Sequence, residues 1–210
     1  CLVGSEMCIR DSPVLVINRP TAVRSNTSKP YQLEMIARYG FPVPRTLVTT
    51  IPEEVDRFYD ECGGRVIYKS VSHRRSIVQR LTEADRGRRE QVRRCPTQFQ
   101  EYIPGVDIRV HTVGDRVFAT EITTEATDYR YAGREGVPRE MRGVTLPVPV
   151  AEQCLRLAAG LELPMSGIDL RRTPEGEYYC FEVNPSPAFT FYQAHTGQRI
   201  GDALVDLLAS

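Results

Sequence analysis

Apolar residues recur along this chain with two periods, and the switches between them lay out a mixed order of strands and helices. Residues 14–17 form a continuous apolar run closed by Asn18-Arg19-Pro20, which predicts a short strand. Ser28 is placed to cap a helix whose Leu33, Ile36 and Ala37 share one face, and Gly40 with Pro42 stops it. Residues 46–49 read as a strand. Thr50-Ile51-Pro52-Glu53 has the form of a capping box with proline in the first turn, ahead of a helix presenting Val55, Phe58, Tyr59 and Cys62. Gly63-Gly64 resets the chain into an apolar strand over residues 66–71. Residues 107–113 and 116–122 read as two strands joined at Gly114-Asp115, a tight hairpin. Helical spacing returns with Cys154, Leu155 and Ala158, and again with Ile200, Ala203, Leu204 and Leu207. Strands mixed with helices and several hairpins predict an α+β fold whose sheets are covered on one side.

A further hairpin carries the chain's candidate chemistry. Residues 167–172 and 178–185 flank the turn Pro174-Glu175-Gly176-Glu177. With Glu175-Gly176 at the turn centre, Asp169 stands opposite Glu182 and Leu170 opposite Phe181, and Asn184 follows on the Glu182 face. Ile168, Leu170, Phe181 and Val183 then make the buried side. Two carboxylates facing each other repel, so either one protonates or a cation sits between them. Two carboxylates and an amide form an all-oxygen set suited to Mg²⁺, which completes its shell with water and phosphate oxygens. The plain alternative is a solvated polar face with a chance acid pair.

Composition narrows the classes. The chain has 210 residues, enough for one large or two small domains with a real core. Its 27 Lys and Arg balance its 27 Asp and Glu, so no global field points to nucleic acid or to an acidic membrane surface. No apolar run approaches membrane-spanning length. Cys62, Cys95, Cys154 and Cys180 are far apart without a C-x-x-C pair and read as reduced thiols of a cytoplasmic protein. His111 and His195 stand alone, which suits packed or surface roles better than metal ligation. The arginine-rich residues 86–94 read as a solvated helix face. The first twelve residues, CLVGSEMCIRDS, match the conceptual translation of a transposase sequencing adapter. They are set aside as an artefact, with the expectation that the native chain continues upstream.

Asp169, Glu182 and Asn184 resemble the metal-ligand pattern of the ATP-grasp superfamily, and upstream motifs follow in that family's order. The resemblance is to the RimK-type branch, which includes ribosomal-protein glutamate ligases, glutathione-synthetase-like ligases and maturases that cross-link ribosomal peptides. It runs from about Val14 to the end. It implies two α+β lobes, residues 45–100 and 101–210, with nucleotide between them, and residues 13–44 as the remnant of an N-terminal domain with a linker helix. Lys69, at the exit of its strand, takes the place of the lysine that contacts the nucleotide, where a compact cation suits a phosphate oxygen. Lys29 matches an earlier family lysine, with an exposed helix-start residue as the alternative. The loop after Lys69 has no glycine, so Arg75 and Ser76, together with His73 and Arg74, are expected to bind phosphate through side chains. Residues 98–105 resemble the interlobe hinge. There the backbone of Glu101, Tyr102 and Ile103 is expected to pair with adenine, and Asp107 to accept ribose hydroxyls. Thr127-Asp128-Tyr129-Arg130 matches an acid-aromatic-Arg segment whose arginine reaches the phosphates.

The chemistry implied is that of an ATP-dependent carboxylate–amine ligase with Mg²⁺, Mn²⁺ being the substitute ion. ATP converts a carboxylate to an acyl phosphate, and an amine then attacks to give an amide. Catalysis rests on positioning and charge neutralisation. Arg109 and Arg171 are candidates for holding the substrate carboxylate or the tetrahedral oxyanion, or else for ordinary strand salt bridges. The partners expected are small-molecule or peptide carboxylates and amines, selected by loops such as residues 132–142 and 188–195. A phosphotransferase on the same scaffold and a non-catalytic ATP-binding module are the alternatives.

Overall fold

A computed structural model describes residues 13–26, 28–71, 78–124 and 138–210. Residues 1–12, and with them the adapter reading, lie outside the described residues. In chain order the elements are α1 (Pro20–Val23), α2 (Lys29–Arg38), β1 (Thr46–Thr49), α3 (Pro52–Glu61), β2 (Val66–Ser70), β3 (Gln79–Arg80), α4 (Glu83–Arg86) and β4 (Thr97–Glu101). They continue as β5 (Val106–Val113), β6 (Arg116–Thr124), β7 (Arg139–Val144), α5 (Val148–Gly160), β8 (Met165–Arg172), β9 (Tyr178–Asn184), α6 (Thr190–Thr196) and α7 (Ile200–Ala209). The fold is α+β and divides into two compact units.

The smaller unit contains residues Pro44–Pro104 and a four-stranded antiparallel sheet in the order β1-β4-β2-β3. Phe99 of β4 and Val66 of β2 are buried against Val55 and Phe58 of α3, with Leu81 closing the cluster. Each such side chain contributes about 1.5–3 kcal/mol by leaving water. The start of α3 differs from expectation. Pro52 opens the helix after Ile51 as N-cap, and no side chain caps it; Thr49 Oγ1 instead accepts the Ile51 amide at 2.9 Å and donates to Glu54 at 2.5 Å. Thr50 and Glu53 make no box, because Glu53 is drawn outward to Arg93 at 3.1 Å. The arginine-rich stretch forms an exposed 3-10 helix over Arg89–Arg94, and Arg88, Arg89 and Arg93 pair with Asp85, Asp56 and Glu90.

The larger unit holds the described residues up to Val43, Gly105–Thr123 and Glu140–Ser210, around a five-stranded sheet in the order β7-β6-β5-β8-β9. One face of that sheet, with Ile108, Val110, Ile168, Leu170 and Val183, packs on Leu33 and Ile36 of α2 and on Cys154 and Leu157 of α5. The β5–β6 hairpin closes as expected, Val113 pairing with Arg116 and Gly114 taking the φ of +58° that the turn demands. The expected strand at residues 14–17 does not form. Val14 and Leu15 are exposed, and the Val14 carbonyl accepts from the Arg19 side chain at 2.9 Å. In α2, Ala37 faces solvent and Gln32 takes a core position. Its amide donates to the Val183 carbonyl at 2.7 Å and accepts the Val183 amide at 3.0 Å. Gln32 thereby acts as a one-residue strand on the open edge of β9.

The β8–β9 hairpin departs from the expected register and then returns to it. Arg172 pairs with Tyr178, Arg171 with Tyr179 and Leu170 with Cys180, because three residues rather than two fill the turn beyond Thr173 and Glu177. A β-bulge between Asp169 and Leu170 absorbs Phe181 as the extra residue, so Asp169 regains Glu182 as its partner. Cys180 therefore takes the buried place expected for Phe181, which is half-buried instead.

Candidate functional site

The sheet face opposite the larger unit's core is organised in cross-strand rows. One row joins Ile122, Asp107 and Arg171, the next Thr120, Arg109, Asp169 and Glu182, and the third Phe118, His111, Gly167 and Asn184. Strand alternation puts each of these side chains away from the Ile108–Ile168 side. The bulge places Phe181 and Glu182 on this face together, since Cys180 and Val183 on either side are buried.

Charges alternate across the rows. Arg171 donates from Nη2 and Nε to Asp107 Oδ1 at 2.6 and 2.8 Å, and its guanidinium lies 5.4 Å from the centre of the Phe181 ring. Arg109 donates from Nη1 to Asp169 Oδ1 at 2.7 Å. Its side chain is only 6% exposed, and it fits because Gly167 has no Cβ: an alanine methyl there would lie 2.0 Å from Arg109 Nη2. Arg109 thus offsets part of the Asp169–Glu182 repulsion that the sequence alone implied. Among the described residues no cation pairs with Glu182. Asn184 is held by an acceptor bond from the Ser186 amide at 2.8 Å.

His111 is fully buried behind Arg109, with its ring 4.8 Å from that of Tyr192 on α6. Burial first, and then the Arg109 charge, push its pKa down to about 4 against a weaker pull from the Ala188 backbone and Asp169. Neither ring nitrogen closes a full hydrogen bond, so the burial effect dominates and the ring is neutral. Tyr192 also lies 5.8 Å from the Arg109 guanidinium, which is therefore braced from behind.

The donor set fits a hard divalent cation. Asp169 has one oxygen on Arg109, Glu182 has no cationic partner among the described residues, and Asn184 is oriented by its own turn. No three acids, histidines or cysteines gather into a metal site among the described residues, so an ion here depends on the Asn184 amide as third donor.

In the smaller unit, Lys69 pairs in register with Gln98, and its Nζ lies 3.4 Å from Gln100 Oε1. The amides of Glu101 and Tyr102 donate to the carbonyls of Arg45 and Arg65 at 2.9 and 2.8 Å. Ile103 is buried, and the Tyr102 ring stacks under Arg80 with 4.1 Å to its centre. Lys29 opens α2 in the larger unit. His73, Arg74, Arg75, Ser76 and Arg130 lie outside the described residues. Gln32, Gly167 and Tyr192 escaped the sequence reading. Only Gln32 left a signal, a polar residue four before Ile36 on an apolar helix face.

No helix among the described residues is long and apolar enough to cross a membrane. A family model for the RimK-like ATP-grasp domain matches residues 26–208. Beta-citrylglutamate synthase B of Danio rerio is 26% identical over 93% of this chain, which spans 50% of that protein. A probable alpha-L-glutamate ligase of Pseudoalteromonas translucida is 25% identical over 93% of this chain and 67% of its own length. Among solved structures, the ATP-grasp ligase PsnB, in complex with a phosphomimetic variant of minimal precursor, Mg and ADP, superposes with a TM-score of 0.86 at 30% identity. That match covers 99% of this chain and 66% of PsnB.

Proposed function

Because the chain belongs to the RimK-like ATP-grasp family, we propose that it is an ATP-dependent ligase that joins a carboxylate to an amine through an acyl phosphate. The observation that carries this reading is the row Arg109–Asp169–Glu182 with Asn184 beside it, an ordered oxygen set with one guanidinium for two carboxylates. Asp169, Glu182 and Asn184 are the metal ligands of the proposal, and Mg²⁺ bound there supplies charge neutralisation for the phosphates.

The remaining roles belong to the same proposal. Arg109 fixes the Asp169 rotamer through its 2.7 Å bond, so the ligand oxygen is aimed before nucleotide arrives. Asp107, held by Arg171 through Oδ1, is assigned to a ribose hydroxyl. The Glu101 and Tyr102 amides are already donated, so adenine pairing at the hinge falls to their carbonyls and to Ile103. Lys69, with Lys29, Arg75, Ser76 and Arg130, is assigned to the phosphates. Phosphoryl transfer to a carboxylate needs little more than this positioning. The acid is assigned to glutamate or an acidic peptide, because related proteins are glutamate ligases by name and PsnB binds a precursor. A cytoplasmic setting, where ATP is supplied, belongs to the same proposal.

Hydroxylamine tests the reaction class. It intercepts an acyl phosphate as a hydroxamate even when the natural amine is absent. Incubating the protein with ATP, Mg²⁺ and pools of glutamate and acidic peptides should give ATP-dependent hydroxamate that Lys69→Ala abolishes. A stable phosphate ester with no hydroxamate from any pool would instead identify a phosphotransferase.

A further inference from the structure

Two glutamines on β4 share one face and one degree of burial, yet differ in what they bond. Gln98 and Gln100 are each 1% exposed and alternate with Phe99, which faces the core of the smaller unit. Gln100 is satisfied on both sides: its Nε2 donates to Thr46 at 2.9 Å, and its Oε1 faces Lys69 at 3.4 Å. Gln98 has no partner for either Oε1 or Nε2. An unpaired buried carboxamide is costly, and native proteins keep few of them. A leucine at Gln98 would fill similar space without that penalty.

The position of Gln98 gives the group a use. It pairs in register with Lys69 and lies on the same sheet face, three residues before Glu101, where the hinge begins. On the ATP-binding reading above, on which this inference rests, adenine meets the hinge and Lys69 meets phosphate; Gln98 stands level with Lys69 on that face, and its carboxamide, closed from solvent here, is reached when bound nucleotide displaces what covers it. A carboxamide offers an adjacent donor and acceptor. Adenine presents the complement at its N7 acceptor and N6 amino group, the edge that Gln pairs with bidentately in nucleic-acid recognition. Guanine presents two acceptors there, N7 and O6, and would face Oε1 with like polarity. We infer that Gln98 is a base-selecting residue of the nucleotide site, donating from Nε2 to adenine N7 and accepting at Oε1 from N6.

The test compares ATP with 7-deaza-ATP, which replaces the N7 acceptor by C–H, and with GTP, using calorimetry on the wild-type protein and on Gln98→Leu. The wild type should bind ATP roughly tenfold more tightly than 7-deaza-ATP, and prefer it over GTP by at least as much. Gln98→Leu should bind ATP more weakly by that factor and bring the ATP to 7-deaza-ATP ratio near one. Should the leucine variant fail to fold, Gln98→Met carries the same comparison. Equal wild-type affinity for ATP and 7-deaza-ATP, or a ratio that either variant leaves unchanged, would overturn the inference while leaving the ligase reading intact. No binding of any nucleotide by the wild type would overturn both.

Discussion

Replacing Gly167 with alanine tests whether the Arg109–Asp169 pair depends on the space over that glycine. The new Cβ would lie 2.0 Å from Arg109 Nη2, 2.6 Å from its Cζ and 2.6 Å from Pro187 Cβ. Ordinary heavy-atom contact needs the guanidinium to retreat by roughly 1.5 Å. Such a shift breaks the 2.7 Å bond to Asp169. Loss of a charge-assisted hydrogen bond costs about 1.5–3 kcal/mol, and crowding of a packed site about 1–3 kcal/mol. One movement relieves the clash and breaks the bond, so the two terms overlap and the net loss should be about 2–4 kcal/mol. In a chain of this size that lowers the Tm by roughly 10 °C. Calorimetric melting of Gly167→Ala measures it. Arg109→Leu removes the obstructing guanidinium but leaves Pro187 Cβ at 2.6 Å, so adding Gly167→Ala to that variant should cost less than it does in the wild type, a non-additivity that identifies the contact. A Gly167→Ala protein that melts like the wild type, or the same penalty with and without Arg109, would refute the reasoning.

Gln32→Leu should strip the Val183 amide and carbonyl of their partners, destabilise the larger unit by about 2 kcal/mol, and speed hydrogen exchange at Val183 more than at residues of β5. His111 has a folded pKa near 4 against an ordinary 6.5, so the unfolded chain takes up the proton first as pH falls. Stability is therefore full above the ordinary value, declines by about 3 kcal/mol as pH falls through that window, and is flat again below it. Denaturant titrations of the wild type between neutral pH and pH about 4 should show this slope, and His111→Phe should remove it.

Strands β1, β2, β5, β6, β8 and β9, helices α2, α3, α5 and α7 and the acid pair were legible because each rests on local signals: period, glycine turns and alternation. The Asp169–Glu182 pairing came out correctly although the turn was misjudged by one residue, since the bulge at Phe181 restores the register that the longer turn removes. A bulge leaves no mark in an apolar sequence, so Phe181 and Cys180 exchanged roles unannounced. The expected capping box at Thr50 is absent, with Glu53 paired to Arg93, a residue far along the chain. Gln32 on Val183, Arg109 over Gly167 and Tyr192 behind Arg109 are all meetings of residues far apart in the chain. No spacing rule names such partners. The run at residues 14–17 was apolar enough for a strand, but the Val14 carbonyl is taken by the Arg19 side chain and the segment joins neither sheet.

The central claim is that Asp169, Glu182 and Asn184 hold the metal of a metal–nucleotide complex. Glu182→Gln tests it most cleanly, because Asp169 also serves Arg109 whereas no cation among the described residues pairs with Glu182. Calorimetric ATP affinities with Mg²⁺ and with chelator, for the wild type and the variant, give the gain that the metal supplies. The account predicts that Mg²⁺ tightens wild-type ATP binding, and that Glu182→Gln loses most of that gain while its metal-free affinity stays at the wild-type level. Equal loss with and without Mg²⁺, or a variant that keeps the whole gain, would contradict it.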